Sequence, residues 1–88
     1  MKFIEKILDK YFARKLVDEI KFFLAKYDID KKVVYDKYGV QFLIKNKKYN
    51  ENYYKTIIDL PYKECCYCFI NDIDKIKESV KDIIERGV

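Results

Sequence analysis

The sequence has no histidine and very little glycine or proline. Without histidine there is no Ser/His or Cys/His nucleophile pair, no histidine general base and no histidine metal ligand. Of the two glycines, one falls in a predicted turn and one near the C-terminus, so no glycine-rich loop is available to cradle a phosphate or a dinucleotide. These absences exclude the commonest kinds of catalytic site, and we expect a protein that is not an enzyme and needs no cofactor.

The chain is short, and its hydropathy is that of a globular protein. Its 88 residues, half of them apolar, predict one domain spanning 1–88. No apolar run approaches the ~20 residues that cross a bilayer. Glu5 and Asp9 interrupt the apolar pattern of the N-terminal stretch, where a secretory signal would be continuous. We therefore expect a cytoplasmic protein with no membrane partner.

The charge is mildly basic and evenly mixed. Nineteen Lys and Arg against 15 Asp and Glu give a net charge of +4, and the signs alternate along the chain. Only Arg14 and Arg86 are arginines, which disfavours a site built on bidentate phosphate contacts. The charge is thus compatible with nucleic-acid binding but does not require it.

The remaining composition is thermophile-like. One Gln, one Thr and one Ser stand against many Lys, Ile, Tyr and Glu, a bias that is typical of hyperthermophile proteins. An AT-rich genome would favour several of the same residues. A thermophilic archaeal source, or a virus of one, stays open on this basis.

The first 27 residues contain no Pro or Gly and predict a helical region. With about 100° between successive residues, two apolar sets lie on nearly opposite sides. The first set is Ile4, Ile7, Leu8 and Tyr11, and the second is Leu16, Ile20, Phe23, Leu24 and Tyr27. Since one straight helix cannot bury both sets against one sheet, two alternatives follow. The chain bends near residues 9–15, where Asp9 would cap a second helix, or the first set is a dimer interface; the two are compatible.

A period of two then predicts four strands, at residues 33–36, 40–45, 53–59 and 65–70. Gly39 falls in the first tight turn, where we expect a positive φ. Pro61 falls in the last turn. A final helix begins after Asn71 or Asp72 and carries one apolar stripe up to Gly87. The predicted fold class is α+β: an N-terminal helical region, a four-stranded antiparallel meander and a C-terminal helix, with the helices mainly over one sheet face.

All three cysteines lie in the stretch "KECCYCFI", at positions 65, 66 and 68. A structural zinc site has four protein ligands, usually in separated pairs, and this chain has neither a fourth Cys nor a His. A reactive thiolate needs a base or a positive field, whereas Glu64 is acidic. We therefore expect no metal site, with Cys66 and Cys68 packed as small hydrophobes on the inner face of the fourth strand. Cys65 would face outward, where it could form an intermolecular disulfide.

Two acidic residues bracket the predicted last turn. Asp59 and Glu64 could approach each other there, as the carboxylates of a metal-dependent nuclease do. The sequence between them, "DLPYKE", lacks the acid-x-Lys strand such enzymes carry. Solvated turn acids are the better interpretation.

The outward face of the predicted sheet combines aromatic and basic residues. Such a face stacks bases and follows phosphates in some single-strand binders, it suits a protein interface because Tyr is enriched there, and it is also ordinary for the solvent side of an antiparallel sheet. Its predicted members are Tyr35, Lys37, Gln41, Lys45, Tyr53, Lys55, Tyr67 and Phe69.

Taken together, these features predict a small non-enzymatic binding protein that acts through protein–protein contacts, with a homodimer through the N-terminal apolar set. Its size would suit a regulatory or inhibitory factor of viral or mobile-element type. The alternative is a nucleic-acid-binding module that uses the Tyr/Lys face, and a metal-dependent nuclease comes third.

Overall fold

The computed structural model describes residues 2–46 and 52–86, with side chains from residue 7 onward. The elements are α1 (Lys2–Leu24), β1 (Ile29–Tyr35), β2 (Gly39–Asn46), β3 (Lys55–Pro61), α2 (Tyr62–Asn71) and α3 (Ile73–Arg86). The three strands form one antiparallel sheet in the order β1-β2-β3. The predicted α+β class is confirmed, and the predicted four-stranded meander is reduced to three strands.

The core lies between α1 and one face of the sheet. Leu16, Ile20 and Leu24 of α1 are fully buried, and so is Phe42 of β2. They belong to one apolar cluster that also takes in α2 and α3. Its buried members are Ala13, Leu16, Val17, Ile20, Leu24, Ile29, Val40, Phe42, Ile44, Ile58, Cys65, Val80 and Ile84.

The central strand shows why the helices gather on one side. Val40, Phe42 and Ile44 alternate along β2 and are completely or almost completely buried, whereas Gln41 and Leu43, which point the other way, are only partly buried. Because side chains alternate across a strand, the apolar row faces the core. We call the opposite side the outer sheet face; its β2 members are Gln41, Leu43 and Lys45.

Helix α1 is a single element. It runs without interruption from Lys2 to Leu24, so the alternative in which Asp9 caps a second helix near residues 9–15 is wrong. Residues 13–17 are ordinary helix formers with no Pro or Gly among them, and Ala13 and Val17 are buried. Burial of this face stabilises a continuous helix against the propensity cost of any single residue.

The predicted fourth strand is a helix. Residues 62–71 form α2, directly after Pro61 at the N-cap position with an extended backbone (φ −65°, ψ 148°). Residues 65–70 within it are continuously apolar, and such a run satisfies both a period of two and a period of 3.6. Its packing on α1 favours the helix. Cys65 is fully buried and Phe69 packs on the core, and this i to i+4 spacing puts both residues on one side of a helix.

Helix α3 begins at Ile73, directly after Asp72, as predicted. The Asp72 backbone N–H donates to Cys68 O at 2.9 Å to close α2, and the Asp72 carbonyl accepts from the Ile76 N–H at 2.9 Å to open α3. Further along, the buried Asn46 Nδ2 donates to Ile84 O at 3.3 Å, which ties the end of β2 to α3. No helix in the described residues is long and apolar enough to cross a membrane.

Gly39 is required by close approach and not by an unusual backbone angle. Its φ lies outside the left-handed region that favours glycine, contrary to the expectation from the turn sequence. A Cβ at this position would overlap Leu60 O and lie 2.8 Å from Leu60 C and Pro61 Cα. These are backbone atoms of the neighbouring strand, so they cannot rotate away.

Gly39→Ala is therefore expected to lower the free energy of unfolding by about 1–3 kcal/mol or more, the usual penalty for inserting atoms into a packed site. Urea unfolding followed by circular dichroism measures it. Gln41→Ala, two residues along β2 on the outer sheet face, is the control and should cost clearly less. Equal costs for the two variants would show that β2 and β3 separate easily at Gly39.

Candidate interaction surface

The side of α1 that faces away from the core exposes large apolar side chains. Ile7 is 54%, Leu8 49% and Tyr11 51% exposed, and positions i, i+1 and i+4 share one side of a helix. Ile4 belongs to the same stripe, but its side chain lies outside the described residues. We call Ile7, Leu8 and Tyr11 the outer face of α1. The uninterrupted helix removes the alternative in which Asp9 caps a second helix, and the dimer interface stays a prediction.

The outer face of α1 is connected to the core by aromatic rings. The Tyr11 ring meets the Phe12 ring edge to face at 5.3 Å, and Phe12 in turn lies 6.0 Å from Phe69 of α2. Both geometries are within the range of favourable ring pairs. The Lys15 Nζ lies 5.5 Å from the Tyr11 ring. Tyr11 is thus held in place while half of its surface remains exposed.

The apolar character of this side of α1 is interrupted by charge after its first half. On the following turns the same side presents Lys15 and Asp18, which are exposed, before Phe22 returns at 83% exposure. A partner helix would therefore find a short apolar patch bordered by charge. Contacts of that size give weak, concentration-dependent association.

The structure reverses the predicted roles of the cysteines. Cys65, expected on the outward side, is fully buried, and its Sγ donates to Pro61 O at 3.5 Å. Burial, with smaller contributions from Cys68, Asp9 and Glu64, raises the pKa of the Cys65 thiol to about 11. Cys66 and Cys68, expected in the core, are only partly buried. Because Cys65 is enclosed in the folded chain, the interpretation of an intermolecular disulfide through it is wrong.

The structure does not bring the residues of the predicted Tyr/Lys face together on one side of the sheet. Tyr67 and Phe69 belong to α2 and not to the sheet. Tyr35 lies opposite Val40 and Lys55 opposite Ile44, so both stand in rows that face the helices, because directly paired residues share a face. Lys37 lies in the turn with its Nζ 5.0 Å from the Tyr38 ring, and Tyr53 precedes β3. Gln41 and Lys45 alone occupy the outer sheet face as predicted.

A different aromatic residue joins the outer sheet face. Lys45 Nζ lies 5.4 Å and Lys32 Nζ 5.9 Å from the centre of the Tyr54 ring. Both distances are short enough for cation–π attraction. Strict alternation through residues 53–59, with Tyr53 and Lys55 outward, would place Tyr54 on the inner face. The register shift between Phe42 and Leu43 explains the error, because a β-bulge changes the phase of every residue beyond it.

The carboxylates considered for a nuclease lie on different elements. Asp59 is in β3 and Glu64 in the first turn of α2. Within the described residues, no group of three or more His, Cys, Asp or Glu side chains is arranged to hold a metal ion. No protein-family model, curated protein or solved structure matches the chain. Its function has to be inferred from its own surfaces.

Thiol labelling tests the reversed cysteine arrangement. At pH 8 the folded protein should alkylate Cys65 roughly 100-fold more slowly than an ordinary thiol, because a pKa of about 11 leaves that much less thiolate. Mass spectrometry of peptic peptides measures the rate at each cysteine. In guanidinium chloride all three should react alike, which is the control. Rapid labelling of Cys65 in the folded protein would contradict its burial.

Proposed function

We propose that the protein is a small non-enzymatic binding protein that acts through protein–protein contacts, and that the outer face of α1 binds a second copy of the chain. The observation that carries this proposal is the half-exposed set Ile7, Leu8 and Tyr11 on a helix whose opposite side is fully buried. A regulatory or inhibitory role of viral or mobile-element type fits a binding protein of this size.

The physical reason is the cost of leaving these side chains in water. Burying apolar surface contributes roughly 25 cal/mol per Å², and contiguous exposed apolar patches commonly mark interaction sites. Tyr11 adds a rigid aromatic ring that is already positioned by Phe12 and Lys15. An anchor that is ordered before binding loses little entropy on association.

Gel filtration with light scattering tests the α1 contact. The wild-type protein at several hundred micromolar should show at least twice its monomer mass, falling on dilution. Leu8→Glu with Tyr11→Glu should lower that mass, because a carboxylate in the contact would lose its hydration without gaining a partner.

The matched control uses exposed residues of the same kinds on α2. Tyr67 and Ile70 are 64% and 62% exposed, so Tyr67→Glu with Ile70→Glu introduces the same charges elsewhere. This control variant should keep the wild-type mass. The proposal is wrong if the wild-type protein is monomeric at the highest concentration, or if the α1 and α2 variants behave alike.

A second candidate function, nucleic-acid binding, is favoured by one observation. Tyr54 with Lys32 and Lys45 forms an aromatic and basic cluster on the outer sheet face. Asp30, opposite Lys45 in the ladder, and Asp59, opposite Gln41, balance the two lysines. The balanced charge provides little attraction for a phosphate backbone, which is why we rank this function below protein binding.

Fluorescence anisotropy with labelled single-stranded DNA and RNA tests this candidate. Binding through the cluster should weaken steeply as salt rises and should fall several-fold in Tyr54→Ala, since base stacking on an aromatic ring contributes about 1–3 kcal/mol. Tyr53→Ala, at an exposed tyrosine one residue away, is the control. No anisotropy change at low salt removes the candidate.

A further inference from the structure

Two of the three cysteines share one side of α2. The chain has three cysteines, Cys65, Cys66 and Cys68, and all of them lie in this helix. Residues three apart on a helix are neighbours on its surface, whereas residues one or two apart do not face each other. Cys65 and Cys68 are therefore neighbours, and Cys66 points to a different side. We call Cys65 and Cys68 the α2 thiol pair.

Helix geometry brings the two thiols of the pair almost to bonding distance. Residues three apart in an α-helix have their Cα atoms about 5 Å apart, which lies inside the range of roughly 4.4–6.8 Å found in disulfides. Their Cβ atoms are about 5–6 Å apart, so a disulfide requires them to approach by about 1–2 Å. After burial, Cys68 contributes most to the raised pKa of the Cys65 thiol, as expected for thiols this close.

The start of α2 can supply this small movement. Cys65 is the fourth residue of the helix, and the N-cap residue Pro61 makes no side-chain cap hydrogen bond. The N–H groups of a first helical turn have no partner within the helix, so this turn is held less firmly than the middle of α2. The Cys65 thiol donates only a weak hydrogen bond, to Pro61 O at 3.5 Å. Rotation about the Cα–Cβ bond turns its sulfur towards Cys68.

The two thiols differ in access from solvent. Cys65 is fully buried, whereas Cys68 is only partly buried. Cys68 lines an open groove of about 340 Å³, together with the apolar side chains of Ile57, Leu60 and Ile76. A small reagent can enter this groove and reach Cys68, but it cannot reach Cys65. Cys68 is thus placed to react first, with Cys65 enclosed directly behind it.

We propose that the α2 thiol pair is a redox site that exchanges with low-molecular-weight disulfides, the chemical class of oxidised glutathione. Cys68 loses its proton to water, and its thiolate attacks one sulfur of the small disulfide. The other sulfur leaves as a thiolate and takes up a proton. Cys65 then loses its proton to water, attacks the Cys68 sulfur and displaces the second small thiolate, which is protonated in turn. Two protein thiols are oxidised, and one small disulfide is reduced to two thiols.

The bond formed in this way is reversible. It holds the two Cβ atoms closer together than an undistorted helix does, and such strain makes a disulfide easier to reduce. Strained disulfides are typically labile or regulatory, whereas structural disulfides resist reduction. The site does not depend on the proposed contact through α1, because neither cysteine belongs to the outer face of α1.

Mass spectrometry after treatment with oxidised glutathione tests the proposal. Burial, Asp72 and Glu64 raise the pKa of the Cys68 thiol, so the incubation is run at pH 8 to increase the thiolate fraction, and acid stops it. The wild-type chain should lose two hydrogen atoms. Alkylation in denaturant should then modify Cys66 alone, which locates the bond between Cys65 and Cys68. Excess dithiothreitol should restore the original mass.

Cys66→Ser is the matched control, because it removes the thiol outside the pair, and it should form the same bond. Adding Cys65→Ser should stop the reaction after its first step, with one glutathione retained on Cys68. Circular dichroism confirms folding of both variants, and the wild-type measurement decides the question if either fails to fold. An unmodified wild-type chain, a lasting glutathione adduct on Cys68 of the wild type, or a disulfide that includes Cys66 would each overturn the proposal.

Discussion

The structure depends on one constraint: a single helix can bury only one of its sides in a core of this size. Leu16, Ile20 and Leu24 occupy that side of α1 and are completely enclosed. The sheet, α2 and α3 all pack on the same cluster. A small domain buries only about 60–65% of the surface of its unfolded chain, so no further element is left within the described residues to cover the opposite side of α1. The exposed Ile7, Leu8 and Tyr11 follow from this arrangement.

Where the sequence pattern had one clear period, it predicted the structure well. Val40, Phe42 and Ile44 alternate strictly with more polar neighbours, and β2 lies where the alternation places it. The stripe of α3, with Val80 and Ile84 buried, was equally readable. The sequence also showed that α1 has apolar residues on two opposite sides. The sequence alone could not show which of the two sides is buried, because that depends on the packing of α2 on α1.

The errors came from places where local sequence does not determine the outcome. The run from Cys65 to Ile70 is too uniformly apolar to reveal its period, and tertiary packing on α1 made it helical. That one error placed Tyr67 and Phe69 on the sheet, although they lie in α2, and it interchanged the predicted buried and outward positions of the cysteines. The register shift at Phe42 and Leu43 had a similar effect on β3, because a bulge has no sequence signature of its own here. The Tyr54 cluster was missed for that reason.

In the proposed α1 contact, another molecule of the protein covers the outer face of α1 in solution. Hydroxyl-radical footprinting, read by mass spectrometry over a hundred-fold range of protein concentration, measures this most directly. We expect labelling of Leu8 and Tyr11 to fall as concentration rises, while labelling of Tyr67, which is similarly exposed in a single chain, stays constant. Labelling of Tyr11 that is the same at every concentration would contradict it.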